Sequence, residues 1–111
     1  MVNANKVRGD REEREVERIV REYFPDAKRT RAGRREDCGD VVSPGGDWTC
    51  QVKAVKTPQW SEWLEDLADQ KRHSGMSTAF LSVKRSRPGK SPLRLAVMPL
   101  DEFLELLGRA K

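Results

Sequence analysis

The chain has few of the residues that build disulfide frameworks and zinc sites: two cysteines and one histidine among 111 residues. Cys38 and Cys50 lack both the CxxC spacing and the partner histidines of a structural zinc site. We therefore predict free thiols and place Cys50 in the core as a small buried residue. A disulfide-stabilised domain and a zinc-binding module are both disfavoured.

Long apolar segments are missing as well. No apolar run approaches the roughly 20 residues that span a membrane, and residues 1–11 lack the hydrophobic stretch of a signal peptide. Hydrophobic and charged residues each make up 36% of the chain, so the core must be small. We expect one cytoplasmic domain over residues 1–111, with residues 1–9 as a flexible N-terminal arm.

Positive charge is unevenly distributed along the chain. The net charge is only +4, yet two stretches contain several basic residues and no acid. The first stretch contains Lys28, Arg29, Arg31, Arg34 and Arg35, and the second contains Lys84, Arg85, Arg87, Lys90 and Arg94. Such clusters favour contacts with the phosphates of a nucleic acid, and ordinary solvated loops are the alternative.

Hydrophobic periodicity predicts an α/β fold with the element order αβββαββα and a mixed central sheet flanked by helices. The expected helices span residues 10–24, 57–73 and 101–107, and the expected strands span residues 27–31, 39–42, 48–56, 78–85 and 93–98. The second helix is expected to have Thr57 as its N-cap and Pro58 at its first position.

Two helix faces are marked by apolar stripes. In the first helix the stripe contains Val16, Ile19, Val20, Tyr23 and Phe24. In the second helix it contains Trp60, Trp63, Leu64 and Leu67. Such spacing usually marks a core face, and a dimer interface is the alternative for the second stripe.

Polar side chains on two successive strands are expected to converge. Because side chains alternate along a strand, Gln51 and Lys53 share a face, while Val52 points into the core from the opposite face, as expected for a strand that is buried on one side only. The turn at residues 44–47 brings Asp40 opposite Gln51. A carboxylate and an amide oxygen beside a lysine can hold a hard cation such as Mg²⁺ next to a phosphodiester. The pattern therefore predicts a metal-dependent nuclease.

A further acid from the first helix would add charge to this site. Glu12 and Glu13 both lie within roughly 50° of the centre of the apolar stripe, and periodicity does not choose between them. Asp37 competes with Asp40 on the strand, but residues 36–39 are typical of a turn, so Asp40 is preferred.

The spacing between Asp40 and the Gln51-Val52-Lys53 triplet resembles the PD-(D/E)xK nuclease motif, with glutamine at the position of the second acid. The QxK variant also occurs in Mrr-like restriction nucleases. The segment from Arg8 to Arg14 looks like the first helix of archaeal and phage Holliday junction resolvases, and this match selects Glu13. The resemblance spans nearly the whole chain and implies a restriction-endonuclease-like core.

For the site, the resemblance implies a magnesium-dependent endodeoxyribonuclease. Glu13, Asp40, Gln51 and the main-chain carbonyl of Val52 would hold one or two Mg²⁺ ions, with Mn²⁺ as a substitute. Lys53 would orient the attacking water or neutralise developing charge.

For the partner, the resemblance implies four-way or otherwise branched DNA cut by a homodimer, as in a bacteriophage resolvase acting in the host cytoplasm. Arg29 is the expected clamp on the DNA backbone. The other expected DNA contacts are Arg8, Lys28, Arg31, Arg34, Arg35, Lys84 and Arg85. The alternatives are a restriction-like or mismatch-nicking enzyme and an inactive DNA-binding relative.

Overall fold

The computed structural model describes residues 4–30, 40–45 and 47–110. Its helices are α1 (Ala4–Arg21), α2 (Trp60–Ser74) and α3 (Leu100–Arg109). Its strands are β1 (Lys28–Arg29), β2 (Val41–Val42), β3 (Trp48–Lys53), β4 (Thr78–Arg87) and β5 (Lys90–Val97). The predicted α/β class and the order αβββαββα are confirmed.

The five strands form one mixed sheet in the order β1-β2-β3-β4-β5. Strands β3 and β4 are parallel and the other neighbouring pairs are antiparallel. A parallel pair requires a crossover connection, and α2 provides it. Val41 pairs with Cys50, so Asp40, one residue earlier, lies level with Gln51, as the turn at residues 44–47 predicts.

The core consists of two clusters on opposite faces of the sheet. The cluster on the α1 face contains Val16, Ala27, Val41 and Cys50. The cluster on the α2 face contains Trp63, Leu67, Ala79, Leu81 and Val83. The expectation that β3 is buried on one side only was wrong, because Thr49 and Gln51 are buried on its second face, to which α2 contributes the core residues Trp63 and Leu67.

Helix α1 is displaced relative to the prediction. It begins at Ala4, so residues 4–9, expected to belong to a flexible arm, are helical. It ends at Arg21, and Tyr23 and Phe24 follow it with 75% and 53% of their surface exposed. Pro25 explains this end, because a proline disfavours the helical conformation of the residue before it.

Helix α2 starts later than the sequence pattern indicates. Its N-cap is Gln59, which makes no side-chain capping hydrogen bond, so Thr57 and Pro58 precede the helix. The helix ends at Ser74, and its C-cap is Gly75, whose φ of 70° is the left-handed conformation that glycine adopts without strain. Only half of the predicted stripe is buried: Trp63 and Leu67 are in the core, whereas Trp60 and Leu64 are exposed.

Helix α3 presents much of its apolar surface to solvent. It has no buried residue. Its exposed apolar side chains are Leu100, Phe103, Leu104, Leu106 and Leu107. An apolar groove of about 1010 Å³ separates it from the end of α1. None of the helices in the described part of the chain is long and apolar enough to span a membrane.

Candidate metal and phosphate site

Asp40 is fixed between its neighbouring strands. Its N–H donates to the carbonyl of Cys50 at 2.8 Å, and its own carbonyl accepts from the N–H of Thr30 at 3.0 Å. Its carboxylate Oδ2 accepts a hydrogen bond from the Val52 N–H at 2.7 Å. The N–H and C=O of one strand residue point to the same side, so the Val52 carbonyl also points toward the Asp40 edge of β3. The structure therefore brings Asp40 and Val52 together.

Gln51 contributes a buried oxygen. The residue is only 8% exposed, and its Oε1 accepts no hydrogen bond from the described residues. An unpaired buried polar group costs about 1–3 kcal/mol, so such atoms are rare in folded proteins and often mark functional positions. An amide oxygen is a hard donor of the kind that Mg²⁺ prefers.

The two neighbouring acids of α1 have different partners. Glu12 is buried and forms a two-pronged ion pair with Arg94 of β5, at 2.7 and 2.9 Å. Glu13 instead lies 3.5 Å from Arg29 of β1 and interacts electrostatically with Asp40. Successive helix residues point about 100° apart, which separates the two carboxylates. The structure thus places Glu13, the acid selected by the resemblance, on the Asp40 side.

Negative charge accumulates around Glu13. Burial is the main cause that raises its pKa above the ordinary value, and the nearby charge of Asp40 raises it further. Asp10 adds a smaller effect in the same direction, while Arg29 opposes it. Because like charges placed close together disfavour ionisation, a bound cation would stabilise the ionised form of Glu13.

Arg29 connects the acids of α1 to β1. Its Nη2 lies 3.5 Å from both Asp10 and Glu13, and its main-chain N–H donates to Glu17 at 2.9 Å. Its Nε is buried and has no hydrogen-bond partner among the described residues. Arg29 is therefore part of the candidate site. Its role as a clamp on the DNA backbone stays a prediction.

Lys53 extends from the α2 face of β3. Its Nζ lies 5.4 Å from the ring centroid of Trp63, which is buried and packs edge-on against Trp60. A cation over an indole is stabilised by about 0.5–2 kcal/mol. The sequence analysis did not assign Trp63 as a partner of Lys53. The sequence contained a signal for it, because the helix that connects two parallel strands covers one face of both strands.

The donor set fits magnesium better than a softer metal. In the part of the chain that the structure describes, no three His, Cys, Asp or Glu side chains are arranged to hold a metal ion. The candidate ligands are instead two carboxylates, the Gln51 amide oxygen and the Val52 carbonyl. Mg²⁺ accepts such oxygen donors and keeps several waters, so a sparse protein ligand set is compatible with it.

The predicted DNA contacts fall into three groups. The first group, Arg31, Arg34 and Arg35, lies outside the described residues. Asp37, the alternative to Asp40 as a metal ligand, lies outside them as well. Lys28 is exposed on β1.

A cleft of about 550 Å³ is lined by the remaining predicted contacts, Arg8, Lys84 and Arg85. Arg11 and Lys56 also line it, and the sequence analysis did not predict them as DNA contacts. Helical spacing could have identified Arg11, because residues three apart, such as Arg8 and Arg11, lie on one face of a helix.

No protein-family model, no curated protein and no solved structure matches this chain. The function must therefore be inferred from the geometry and chemistry of these residues.

Proposed function

We propose that this protein is a magnesium-dependent endodeoxyribonuclease of the PD-(D/E)xK type that cuts branched DNA, as Holliday junction resolvases do. Two observations support the proposal: the Asp40 carboxylate accepts a hydrogen bond from the Val52 N–H, and Gln51, the preceding residue of β3, has a buried side-chain oxygen without a hydrogen-bond partner among the described residues. The αβββαββα order is the order that the resemblance implies.

Four groups would hold one or two Mg²⁺ ions: the carboxylates of Glu13 and Asp40, the Gln51 Oε1 and the Val52 carbonyl. When bound, the metal would stabilise negative charge on the phosphate oxygens and lower the pKa of a bound water. The amide at Gln51 is neutral, so this site attracts cations less strongly than a site with three acids.

The remaining chemistry belongs to the chain's own side chains. The ammonium group of Lys53 would hold the attacking water in line with the scissile phosphate or neutralise charge that develops there. Trp63 keeps this group over its ring and thereby restricts its position. Arg29, close to both Glu13 and Asp10, would orient the acids of α1.

A homodimer is part of the proposal, because symmetric cuts on two opposed strands require two sites related by a twofold axis. The apolar side chains that α3 leaves exposed support an interface between copies, since a single chain rarely exposes so many together.

The decisive experiment compares a labelled four-way junction, a linear duplex and a single strand incubated with Mg²⁺. We expect paired, symmetric nicks in the junction alone, and no cleavage after addition of a chelator. Cleavage of the linear duplex would favour the restriction-like or mismatch-nicking alternative.

The Lys53→Ala variant provides the internal control. Its junction binding should match the wild type while its cleavage is lost. If both fall equally, Lys53 is a structural residue and its assigned role is wrong.

A second candidate function is DNA binding without cleavage. Two observations favour it: Gln51 supplies no negative charge, and Arg29 already offsets part of the charge of Glu13. This alternative predicts salt-sensitive binding and no cleavage of any of the three DNA substrates with either Mg²⁺ or Mn²⁺.

A further inference from the structure

A cleft of about 550 Å³ lies beside the candidate site, between α1, the segment that follows β3 and the end of β4. Five of its lining residues are basic: Arg8, Arg11, Lys56, Lys84 and Arg85. They come from three separate elements, so the fold rather than a run of sequence brings them together. The single acid among the described lining residues is Glu12.

The charge of Glu12 is already neutralised inside the protein. Both of its oxygens accept hydrogen bonds from Arg94, which does not line the cleft. Lys84 Nζ approaches the same carboxylate at 3.9 Å. With Glu12 paired in this way, the walls of the cleft keep a strong excess of positive charge.

The most accessible cations of the cleft are suited to bind an anion. Arg8, Arg11 and Lys56 are all exposed. Arg85 donates to the main-chain carbonyl of Lys56 at 3.2 Å, a bond that orients the guanidinium and leaves its charge uncompensated. Cations that converge in a concave surface repel each other, and this repulsion is relieved when a polyanion binds.

We propose that this cleft binds the phosphodiester backbone of a nucleic acid strand. The inference rests on the proposed function and extends it by naming where the strand lies next to the cut. Arg11 and Lys56 become phosphate contacts, and Glu12 is a positioning residue whose carboxylate lies 3.9 Å from Lys84 in the wall of the cleft.

The location of the cleft agrees with this assignment. Glu12 precedes Glu13 on α1, and Ala54, another lining residue, follows Lys53 at the end of β3. The cleft and the candidate site therefore share α1 and adjoin each other at the end of β3. A strand whose scissile phosphate lies at Asp40 and Lys53 can place neighbouring phosphates against Arg11 and Lys56.

The test is fluorescence anisotropy with labelled single-stranded DNA and a labelled four-way junction, in EDTA, over a range of salt concentrations. The cleft variant combines Arg11→Ala with Lys56→Ala. The control variant combines Arg21→Ala with Arg72→Ala, which removes the same charge from exposed positions outside the cleft.

We expect the cleft variant to bind DNA on the order of tenfold more weakly, and the slope of log affinity against log salt to fall by roughly 1.8, the value for two lost phosphate contacts in duplex DNA. The control variant should change affinity less than about twofold. Thermal unfolding of both variants at the wild-type temperature would confirm that the fold is intact.

Equal binding by the cleft and control variants would overturn the inference. The inference would also be overturned if millimolar inorganic phosphate displaced the labelled DNA while the cleft variant kept its DNA affinity, because the cleft would then be a site for free phosphate. If unlabelled DNA displaces the labelled DNA and inorganic phosphate does not, the result supports a binding site for the DNA backbone.

The assay contains no divalent metal, so its result is independent of cleavage. If the wild type cuts no DNA but the cleft variant loses binding, the nuclease proposal fails and the cleft assignment stands. If the wild type cuts a junction and the cleft variant binds and cuts it equally well, only the cleft assignment fails.

Discussion

Glu12 and Glu13 are adjacent acids on one helix, yet they lie in two regions with opposite electrostatics. Glu12 is buried against two cations, Arg94 and Lys84, and its charge is compensated. Glu13 lies 3.5 Å from Arg29, yet its pKa is raised, first by burial and then by the nearby charge of Asp40. A compensated acid stabilises the fold, whereas an acid held beside a second acid is suited to bind a cation. The contrast shows that partners, rather than residue type, separate structure from function here.

The largest effect is expected for Asp40→Asn, a change in the candidate site that should lower the rate of DNA cleavage. Asparagine keeps an oxygen that can accept the hydrogen bond from Val52 N–H, so the fold should be retained while the negative charge is lost. We expect the cleavage rate to fall on the order of 10³-fold. Single-turnover cleavage of a junction, with binding measured in parallel, checks this. A variant that cuts at the wild-type rate would exclude Asp40 from the site.

The second-largest effect is expected for Glu12→Gln, which should lower the stability of the fold. This change leaves the partly buried Arg94 without its charged partner, and we expect the free energy of unfolding to fall by about 2–3 kcal/mol. Urea denaturation measures the loss. Glu15→Gln is the matched control, because Glu15 pairs with Arg18 at the surface, where ion pairs contribute little. Similar values for both variants would show that the Glu12 pair is not a structural element.

A smaller effect is expected from Gln51→Glu, which restores a third acid to the site. The added charge should lower the Mg²⁺ concentration needed for half-maximal cleavage by about tenfold, equivalent to roughly 1.4 kcal/mol. A magnesium titration of the cleavage rate measures this shift. An unchanged titration would mean that Gln51 is not a metal ligand, whatever the activity of the variant.

The smallest effect is expected on the melting temperature of Glu13→Gln in the absence of metal. Because the folded-state pKa of Glu13 lies above its ordinary value of 4.5, the folded protein binds more protons than the unfolded chain between these two values. Stability therefore falls as the pH rises through this interval. At pH 7 the wild type has lost the full stability that ionisation of Glu13 costs in the folded state. The variant should therefore melt at a slightly higher temperature, and this difference should vanish below pH 4.5.

Adding metal should reverse that comparison. A ligand that binds only the folded state stabilises it by mass action, so Mg²⁺ or Mn²⁺ should raise the melting temperature of the wild type more than that of Glu13→Gln. Differential scanning fluorimetry at pH 7, with and without metal, measures both temperatures. Equal shifts in the two proteins would remove Glu13 from the ligand set.

Much of the fold was predictable because it depends on local patterns. The alternation along β3 correctly placed Cys50 in the core and Gln51 on the opposite face. The boundaries of the helices were less predictable. Pro25 ended α1 earlier than its apolar stripe suggested, and α2 began at Trp60 although Thr57 and Pro58 are typical of a helix start.

The candidate site was predictable only in part. The spacing from Asp40 to Gln51 is a property of a short turn and an antiparallel register, so the sequence indicated their proximity. The choice between Glu12 and Glu13 required knowledge of what packs on each side of α1, and periodicity is blind to that. Arg94, the partner of Glu12, lies 82 residues away in the chain.

The amino-acid sequence by itself determined the order of the helices and strands and the face of β3 on which each side chain lies, because both follow from the fixed geometry of the backbone over a few residues. The tertiary structure decided which acid of α1 interacts electrostatically with Asp40, that Lys53 lies over Trp63, and that cations from α1, β4 and the segment after β3 line one cleft. These contacts join residues far apart in the chain, and they exist only once the helices have packed on their respective faces of the sheet.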